Sequence, residues 1–356
     1  MKKHWVKKWI SAAVFLLLAS SILLTGCGQT KTSAADGSND ADKGSKGDEL
    51  EVTELRYQGS VGAVTFPELA ADLGYLAPLK LNHIGNTISG PQDIQAVVTG
   101  DTDFGGAFNG AIVKLIAAGA PIKPVIGYYG VDDETWTGYY VLDGSPIKTA
   151  KDLIGKKIAV NTLGAHHEFV IKEYLHREGL TKEEIEKVTL VVIPPVTSEQ
   201  TLRANQVDVA TLGGILRDKA LERGGIHPLF TDRELFGNFT AGSYVLTEKF
   251  IKENPNTARK FVEATAKAIE WARTTPRDEV VARFENIINT RGRKEDTSAI
   301  KYWKSTGVAG AGGLISDQEF DTWIKWLEKE EVLKKGQLKV EGLYTNEFNP
   351  YANEKK

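Results

Sequence analysis

Two adjacent histidines, His166 and His167, come nearest in this sequence to a metal site. His167 and Glu168 would begin an H-E-x-x-H helix, in which two histidines one turn apart bind zinc and the glutamate is the general base. Ile171 stands where the second histidine should be, and no free thiolate completes a ligand set. We therefore predict no metal site. A neutral His166 at the start of a helix suits hydrogen bonding to a ligand better.

A serine nucleophile is no better supported. Ser60 lies in Gly59-Ser60-Val61-Gly62, which does not have the G-x-S-x-G spacing of the nucleophile elbow. Because no other acid–base set is recognisable, we predict that the protein is not an enzyme and requires no cofactor.

Three glycine-bearing loops, Gly59 to Thr65, Gly105 to Gly110 and Thr162 to His166, suit binding instead. In open α/β sheets, ligands bind beyond the carboxyl ends of strands, where loops enter helices. Amides at a helix N-terminus attract anions, and none of these loops contains Lys or Arg. Phe108 and Trp136 are expected to cover an organic tail, although the glycines would equally suit turns without a ligand. The predicted ligand site is Ser60, Val61, Phe108, Asn109, Trp136, Thr162, Gly164, Ala165, His166 and Gly213.

The single cysteine, Cys27, follows Leu24-Thr25-Gly26, a lysine-rich start and an apolar stretch over residues 12–24. This order is that of a secretory signal, and its end resembles a bacterial lipobox. The stretch is too short for a membrane-spanning helix, which needs roughly 20 residues. We predict that residues 1–26 are removed and that acylated Cys27 anchors the protein outside the cell membrane. An uncleaved anchor and a buried free thiol are the alternatives.

Composition excludes some partners. Residues 1–26 contain four lysines and no acid, so the remaining 330 residues hold 40 basic and 47 acidic side chains, a formal charge near −7. An acidic balance argues against nucleic acid, which requires a clustered basic face. Residues 27–49 are polar and small, and we predict a disordered tether.

Two stretches share one layout, in which a helix, a tight turn, an Asp, an apolar strand and a glycine-containing loop precede another helix. The first surrounds Gly100-Asp101-Thr102-Asp103, and the second surrounds Asn205-Gln206-Val207-Asp208. One unit in each half indicates two similar α/β lobes.

A second repeat indicates where the lobes join. Gly138-Tyr139-Tyr140-Val141-Leu142 and Gly242-Ser243-Tyr244-Val245-Leu246 both read Gly-x-Tyr-Val-Leu and suit strands, although so short a match can also be coincidence. Interpreted as two crossing strands, they give lobe 1 as 50–142 and 241–350 and lobe 2 as 143–240. Two helical stretches, around Phe261 and around Trp323, are expected to complete lobe 1.

Taken together, these features resemble the substrate-binding lipoproteins of ABC importers, of the nitrate, sulfonate and taurine type. The resemblance covers about 50–350. It is carried by the turn Gly100 to Gly105, the block Thr149 to Val160, the segment Leu163 to His166 and the closing Tyr344 to Phe348. It implies an α/β, two-lobed periplasmic-binding-protein-like fold, each lobe a βα sheet sandwich, with the lobes joined by two crossing strands.

The resemblance also implies a function. A monomer would capture a small anion, foremost an aliphatic sulfonate-like compound, between its lobes and deliver it to an ABC permease with its ATPase. Asn161-Thr162-Leu163 precede Gly164-Ala165-His166, where a Gly-Ser-Ser loop is common in the sulfonate type, so nitrate and a thiamine-pyrimidine precursor stay open as ligands. An enzyme on the same fold and a sensor subunit that presents ligand to a receptor are the alternatives from other classes.

Overall fold

A computed structural model describes residues 49–353 of the chain, which form ten β-strands and twelve α-helices. The predicted signal segment, Cys27 and residues 27–48 of the predicted tether lie outside the described residues. The strands are β1 Glu54–Gly59, β2 Lys80–Asn86, β3 Gly105–Phe108, β4 Ile122–Val131, β5 Thr137–Leu142, β6 Lys157–Val160, β7 Thr189–Val192, β8 Ala210–Gly213, β9 Ile226–Thr231 and β10 Phe239–Thr247. The helices are α1 Phe66–Asp72, α2 Gly90–Thr99, α3 Asn109–Ala117, α4 His166–Arg177, α5 Lys182–Ile185, α6 Pro195–Arg203, α7 Gly214–Glu222, α8 Asp232–Phe236, α9 Glu248–Glu253, α10 Pro255–Thr274, α11 Arg277–Thr290 and α12 Gln318–Lys329.

The strands form two groups of similar build. The first sheet group combines the parallel pair β1–β2 with the antiparallel sheet β3–β10–β4. The second sheet group combines the parallel pair β6–β7 with the antiparallel sheet β8–β5–β9, and a parallel bridge from Ile158 to Val209 connects its two parts. Each group therefore has one parallel pair and one three-stranded antiparallel sheet.

The two Gly-x-Tyr-Val-Leu segments occupy equivalent places, since β5 and β10 are each the central strand of an antiparallel sheet. They do not pair with each other. β5 follows β4 in the chain but pairs with β8 and β9, whereas β10 follows β9 but pairs with β3 and β4. The chain thus passes between the groups at 132–136 and at 232–238, just before each of these strands.

The two Asp-containing turns are also equivalent. Asp103 Oδ2 accepts a hydrogen bond from the amide of Arg56 on β1 at 2.6 Å, and the amide of Asp103 donates to the carbonyl of Arg56. Asp208 Oδ2 accepts from the amide of Lys157 on β6 at 2.8 Å, and the amide of Asp208 donates to the carbonyl of Lys157. The shared layout predicted from sequence is therefore a shared structure, because in each half one carboxylate binds the turn to the first strand of the group's parallel pair.

One predicted loop is wrong. The segment Gly105 to Gly110 is the strand β3 followed at once by the first turn of α3. Its glycines serve close packing, because a Cβ at Gly105 would lie 2.9 Å from the carbonyl oxygen of Asp93. On the facing helix, a Cβ at Gly90 would lie 2.9 Å from Cα of Ala107. Helix α2 and strand β3 thus approach backbone to backbone.

The long helices α10 and α12 complete the core of the first sheet group. α10 buries Phe261, Val262 and Ile269 against β1, β4 and β10, and α12 buries Trp323 and Leu327 against α3. Within 49–353, no helix is both long enough and apolar enough to cross a bilayer.

Candidate functional site

A cavity of about 1190 Å³ lies between the two sheet groups. The first group contributes the end of β1 and the start of α2, and the second contributes the start of α4, α6 and α7. Residues that follow strands and open helices therefore surround it, as expected for α/β sheets.

Six of the ten predicted ligand residues line this cavity: Ser60, Val61, Phe108, Ala165, His166 and Gly213. Val61 is 55 % exposed and lies at the rim, whereas Phe108 is buried in the wall. The ring of Phe108 stacks on that of His166, with centroids 4.9 Å apart and planes 8° from parallel. One wall of the cavity is thus an aromatic pair.

Two predicted residues have structural roles outside the cavity. Asn109 is buried at the start of α3, where its amide donates to the carbonyl of Thr240 at 3.2 Å and its Oδ1 accepts from Ser243 at 2.8 Å. Trp136 lies under the guanidinium of Arg217, 3.6 Å from the ring centroid. Trp136 therefore supports the passage at 132–136 and does not form the expected wall.

The loop from Thr162 to His166 differs from the expectation as well. Neither Thr162 nor Gly164 is among the cavity-lining residues. The amide of Gly164 donates to Glu168 Oε2 at 2.7 Å, so it is already bound to a carboxylate of its own helix. Thr162 Oγ1 lies 3.0 Å from Ser89 Oγ. The expectation that the Gly164 amide is open to an anion is wrong, because Glu168 occupies it.

His166 and His167 both line the cavity. Burial lowers the pKa of His166 to about 3, assisted by the nearby His167, and burial lowers the pKa of His167 to about 4. Asp232 Oδ2 lies 3.4 Å from His166 Nε2, which is long for a hydrogen bond, and burial raises the pKa of Asp232 to about 7. Both imidazoles are therefore neutral at pH 7 and offer an anion no positive charge.

Sequence reasoning did not identify Asp93 as a residue that lines the cavity. It lies in the first turn of α2 and is 7 % exposed. Its Oδ2 accepts from the amide of Gly106 at 2.7 Å, and burial raises its pKa to about 7. An acid in a first helical turn normally marks the helix start. The feature of the sequence that could have indicated the burial of Asp93 is the pair Gly90 and Gly105. These glycines have no side chain and let the first turn of α2 approach β3 closely.

Two tyrosines were missed too. Tyr128 and Tyr244 line the cavity from β4 and β10, with ring centroids 4.1 Å apart. Burial raises the pKa of each well above 10, so both hydroxyls are neutral. Tyr244 belongs to the Gly-x-Tyr-Val-Leu repeat, which identified its strand but not the face on which its ring lies.

The basic side chains that line the cavity already have acidic or polar partners. Arg203 and Arg223 both bind Glu199, with Nε to Oε1 distances of 2.8 and 2.9 Å. Lys219 donates to Ser298 at 2.7 Å and lies 3.9 Å from Asp296. Between residues 49 and 353, no group of three or more His, Cys, Asp or Glu is placed to hold a metal ion.

The sequence and the fold of this chain are similar to those of known proteins. A family model described as NMT1/THI5 like matches residues 69–279. An aliphatic sulfonates-binding protein of Escherichia coli (strain K12) is 26 % identical over 168 residues, which are 47 % of this chain and 50 % of that protein. The chain thus matches about half the length of this curated relative.

Three solved structures share the fold. A protein of Bordetella bronchiseptica RB50 has a TM-score of 0.72 at 22 % identity, over 86 % of this chain and 98 % of that one. The alkanesulfonate-binding protein SsuA of Xanthomonas axonopodis pv. citri, bound to MOPS, has a TM-score of 0.63 at 19 % identity, over 83 % and 98 %. The periplasmic nitrate-binding protein NrtA of Synechocystis PCC 6803 has a TM-score of 0.63 at 16 % identity, over 84 % of this chain and 88 % of that one. The predicted α/β periplasmic-binding-protein-like fold is confirmed.

Proposed function

The chain belongs to the NMT1/THI5-like family, and from this premise we propose that it is the solute-binding protein of an ABC importer. It captures a small solute outside the cytoplasm and delivers it to a permease. The observation that carries this proposal is the cavity of about 1190 Å³ between the two sheet groups. That volume accommodates a small organic molecule. No covalent chemistry is required, and the buried neutral histidines are weak bases at pH 7.

Binding itself is tested by thermal unfolding of the purified protein with sulfonates, nitrate and pyrimidines. A ligand present at about 100 times its dissociation constant adds roughly 2.7 kcal/mol to the free energy of unfolding. A stabilising compound supports the proposal. Failure of all three classes to stabilise the protein would count against it.

Because β5 pairs with β8 and β9 and not with β4, we assign residues 50–131 and 239–350 to one lobe and 137–231 to the other. These bounds replace the boundaries at 142 and 241 expected from sequence, which placed β5 in the first lobe. On the α2 side of the cavity, two hydrogen-bonding contacts join these lobes. Ser89 Oγ and Thr162 Oγ1 are 3.0 Å apart, and Asn161 Nδ2 donates to the carbonyl of Ile88 at 2.7 Å. Both contacts connect the start of α2 with the segment after β6, so opening of the lobes there breaks them.

We expect the double variant Asn161→Ala, Thr162→Val to bind solute about tenfold more weakly. The closed form loses two hydrogen bonds of about 1 kcal/mol each, and part of that loss is recovered by solvation of the freed groups. Isothermal titration with the stabilising compound measures the affinity. Small-angle scattering should show a smaller radius of gyration with ligand for the unmodified protein.

The matched control is Thr322→Val on the exposed face of α12, where the hydroxyl donates to the carbonyl of Gln318. It should leave the affinity unchanged. Unchanged affinity in the double variant, together with identical scattering profiles with and without ligand, would mean that these contacts do not belong to a closed form.

We further propose that acylated Cys27 holds the protein at the outer face of the cell membrane as a monomer. Cys27→Ala should release or misprocess the protein without altering its folding or affinity. Fractionation of expressing cells and mass analysis of the membrane-derived protein measure this. An unmodified Cys27 in membrane-derived protein would contradict the proposal.

The solute class is the finer question. The names of the relatives mention sulfonates and nitrate, and the sequence resemblance favours an aliphatic sulfonate. Such an anion would meet neutral imidazoles in this cavity and basic side chains that Glu199 and Asp296 already engage. A sulfonate alone therefore leaves the third acid of the cavity, Asp93, without a complementary group.

A further inference from the structure

Residues 291–305, which we call the strap, follow α11 and contact α7 of the other sheet group. Two of them, Asp296 and Ala299, line the cavity. At the end of the strap, the hydroxyl of Ser305 donates to Asp132 Oδ1 at 2.9 Å. The strap therefore extends along the cavity, on the side of α7, to the passage between the sheet groups.

The start of the strap is fixed in the first sheet group by buried charges. Arg291 Nη1 lies 3.3 Å from Glu68 Oε2 and donates to the carbonyl of Ala63 at 2.9 Å. Arg293 Nη1 lies 3.0 Å from Glu68 Oε1, and its Nη2 donates to the hydroxyl of Tyr57 at 2.7 Å. Because breaking these pairs would leave a buried charge without its partner, this end of the strap stays with the first sheet group.

The middle of the strap packs into the core of the first sheet group as well. Ile300 is buried in that core, and the ring of Trp303 packs edge-on against Phe284 of α11, with centroids 5.5 Å apart. Arg277, the first residue of α11, donates to the carbonyl of Trp303 at 2.8 Å. The backbone of the strap thus belongs to the first sheet group.

Other side chains of the strap contact the second sheet group. Asp218 and Glu222 lie one turn apart on α7 and therefore share one face of this helix. The hydroxyl of Tyr302 donates to Glu222, and Lys304 Nζ lies 3.2 Å from Asp218 Oδ2. Tyr302 and Glu222 meet at the surface, and Lys304 is exposed. Polar contacts that water can reach cost little free energy to break, unlike the buried charges at the start of the strap.

Resting on the two-lobed, solute-binding function proposed above, we propose that the strap is an electrostatic latch that holds the lobes closed on the α7 side. When the lobes separate, the strap stays with the first lobe and α7 moves with the second. The contacts to Asp218, Lys219 and Glu222 then break, and the cavity opens beside Asp296.

This latch makes closure sensitive to salt, whichever solute binds. Interactions between exposed charges are screened over about 10 Å at an ionic strength of about 0.1 M and over about 3 Å at about 1 M. High salt therefore weakens the contacts between the strap and α7 more than the buried charges that fix the strap in the first lobe.

The test measures the separation of the lobes without any solute. Gln206→Cys and Asp278→Cys place one spin label at an exposed position in each lobe, and Cys27→Ala removes the natural thiol. Electron resonance of the purified full-length protein then gives the distribution of distances between the two labels. At about 0.1 M salt, we expect a shorter, closed distance to dominate, and about 1 M salt should increase the longer, open one.

The latch variant is Tyr302→Phe with Lys304→Glu, and neither residue is among those that line the cavity. It removes the hydrogen bond to Glu222 and places like charge against Asp218. We expect it to lower the ratio of closed to open forms about tenfold at low salt. Its distance distribution should also respond less to added salt than that of the protein with the strap intact.

The matched control is Tyr344→Phe with Lys325→Glu, because the partners of these side chains, Asp317 and Asp321, lie in the same lobe. The control makes the same chemical changes and should leave the distances unchanged. The inference is wrong if the latch variant behaves like this control, if salt does not move the intact protein, or if the intact protein shows only the open distance.

These outcomes are separate from the fate of the proposed function. If the latch fails but a compound stabilises the protein in thermal unfolding, solute binding stands without the latch. If the latch variant separates the lobes but no compound stabilises the protein, the latch stands and the solute-binding function fails.

Discussion

Arg217→Ala is expected to lower the free energy of unfolding by about 3–5 kcal/mol. Arg217 is completely buried, and its guanidinium lies over the ring of Trp136. It donates to the carbonyls of Trp136 at 3.1 Å and Glu134 at 2.9 Å, and it pairs with Asp218. Removing it leaves two carbonyls and a carboxylate without these partners at the passage between the sheet groups.

Urea denaturation of Arg217→Ala measures the effect, and Arg233→Ala is the matched control. Arg233 also contacts this passage, through Asp133, but both side chains are largely exposed. The control should therefore cost less than about 1 kcal/mol. Equal losses in the two variants would mean that the buried stack on Trp136 adds no more to the free energy of unfolding than an exposed ion pair. Arg217→Lys should recover only part of the stability, because lysine lacks the planar donor fork.

Gly106→Ala is expected to weaken solute binding roughly 30-fold, or about 2 kcal/mol, because it displaces a ring of the cavity wall. The overpacking itself should lower the free energy of unfolding by about 1–3 kcal/mol. A Cβ at Gly106 would lie 2.7 Å from Cε1 and Cζ of Tyr128 and 2.8 Å from its hydroxyl. The ring of Tyr128 must move, and this ring is part of the cavity wall and stacks on Tyr244. The substitution thus deforms the site beside Asp93.

The control for this variant is Gly127→Ala on β4, where the added Cβ would lie 2.6 Å from Thr240 Cγ2. Neither Gly127 nor Thr240 is among the lining residues, so this overlap should lower stability and leave affinity unchanged. Isothermal titration with the compound found by thermal unfolding, and circular dichroism for the fold, decide between the outcomes. Unchanged affinity in a folded Gly106→Ala would show that Tyr128 does not shape the site.

Local sequence determined most of the secondary structure. The predicted helix start at His166 agrees with α4, and the predicted strands around Tyr139 and Tyr244 agree with β5 and β10. Periodicity, caps and β-branched content act over a few residues, so they can be read without the partner elements. The two Asp-containing turns were predictable for the same reason, and their equivalence followed from a repeated order of residues.

Sequence also indicated residues that the fold brings together around the cavity. Loops that leave strands and enter helices converge in this fold class, and six of the ten predicted residues do line the cavity. The four others are engaged by groups that are distant or differently oriented: Thr240 and Ser243 for Asn109, Arg217 for Trp136, Ser89 for Thr162, and Glu168 for Gly164. Their residue types gave no sign of these partners.

Tertiary structure alone decided the chemistry of the cavity. Asp93 has the sequence context of an ordinary first-turn acid, and only the close approach of α2 to β3 buries it and leaves one oxygen without a partner. The neutral state of His166 likewise follows from burial against Phe108. Helix and strand are set by interactions between near neighbours, whereas charge, burial and hydrogen-bond pairing depend on groups that the fold brings together from far apart in the chain.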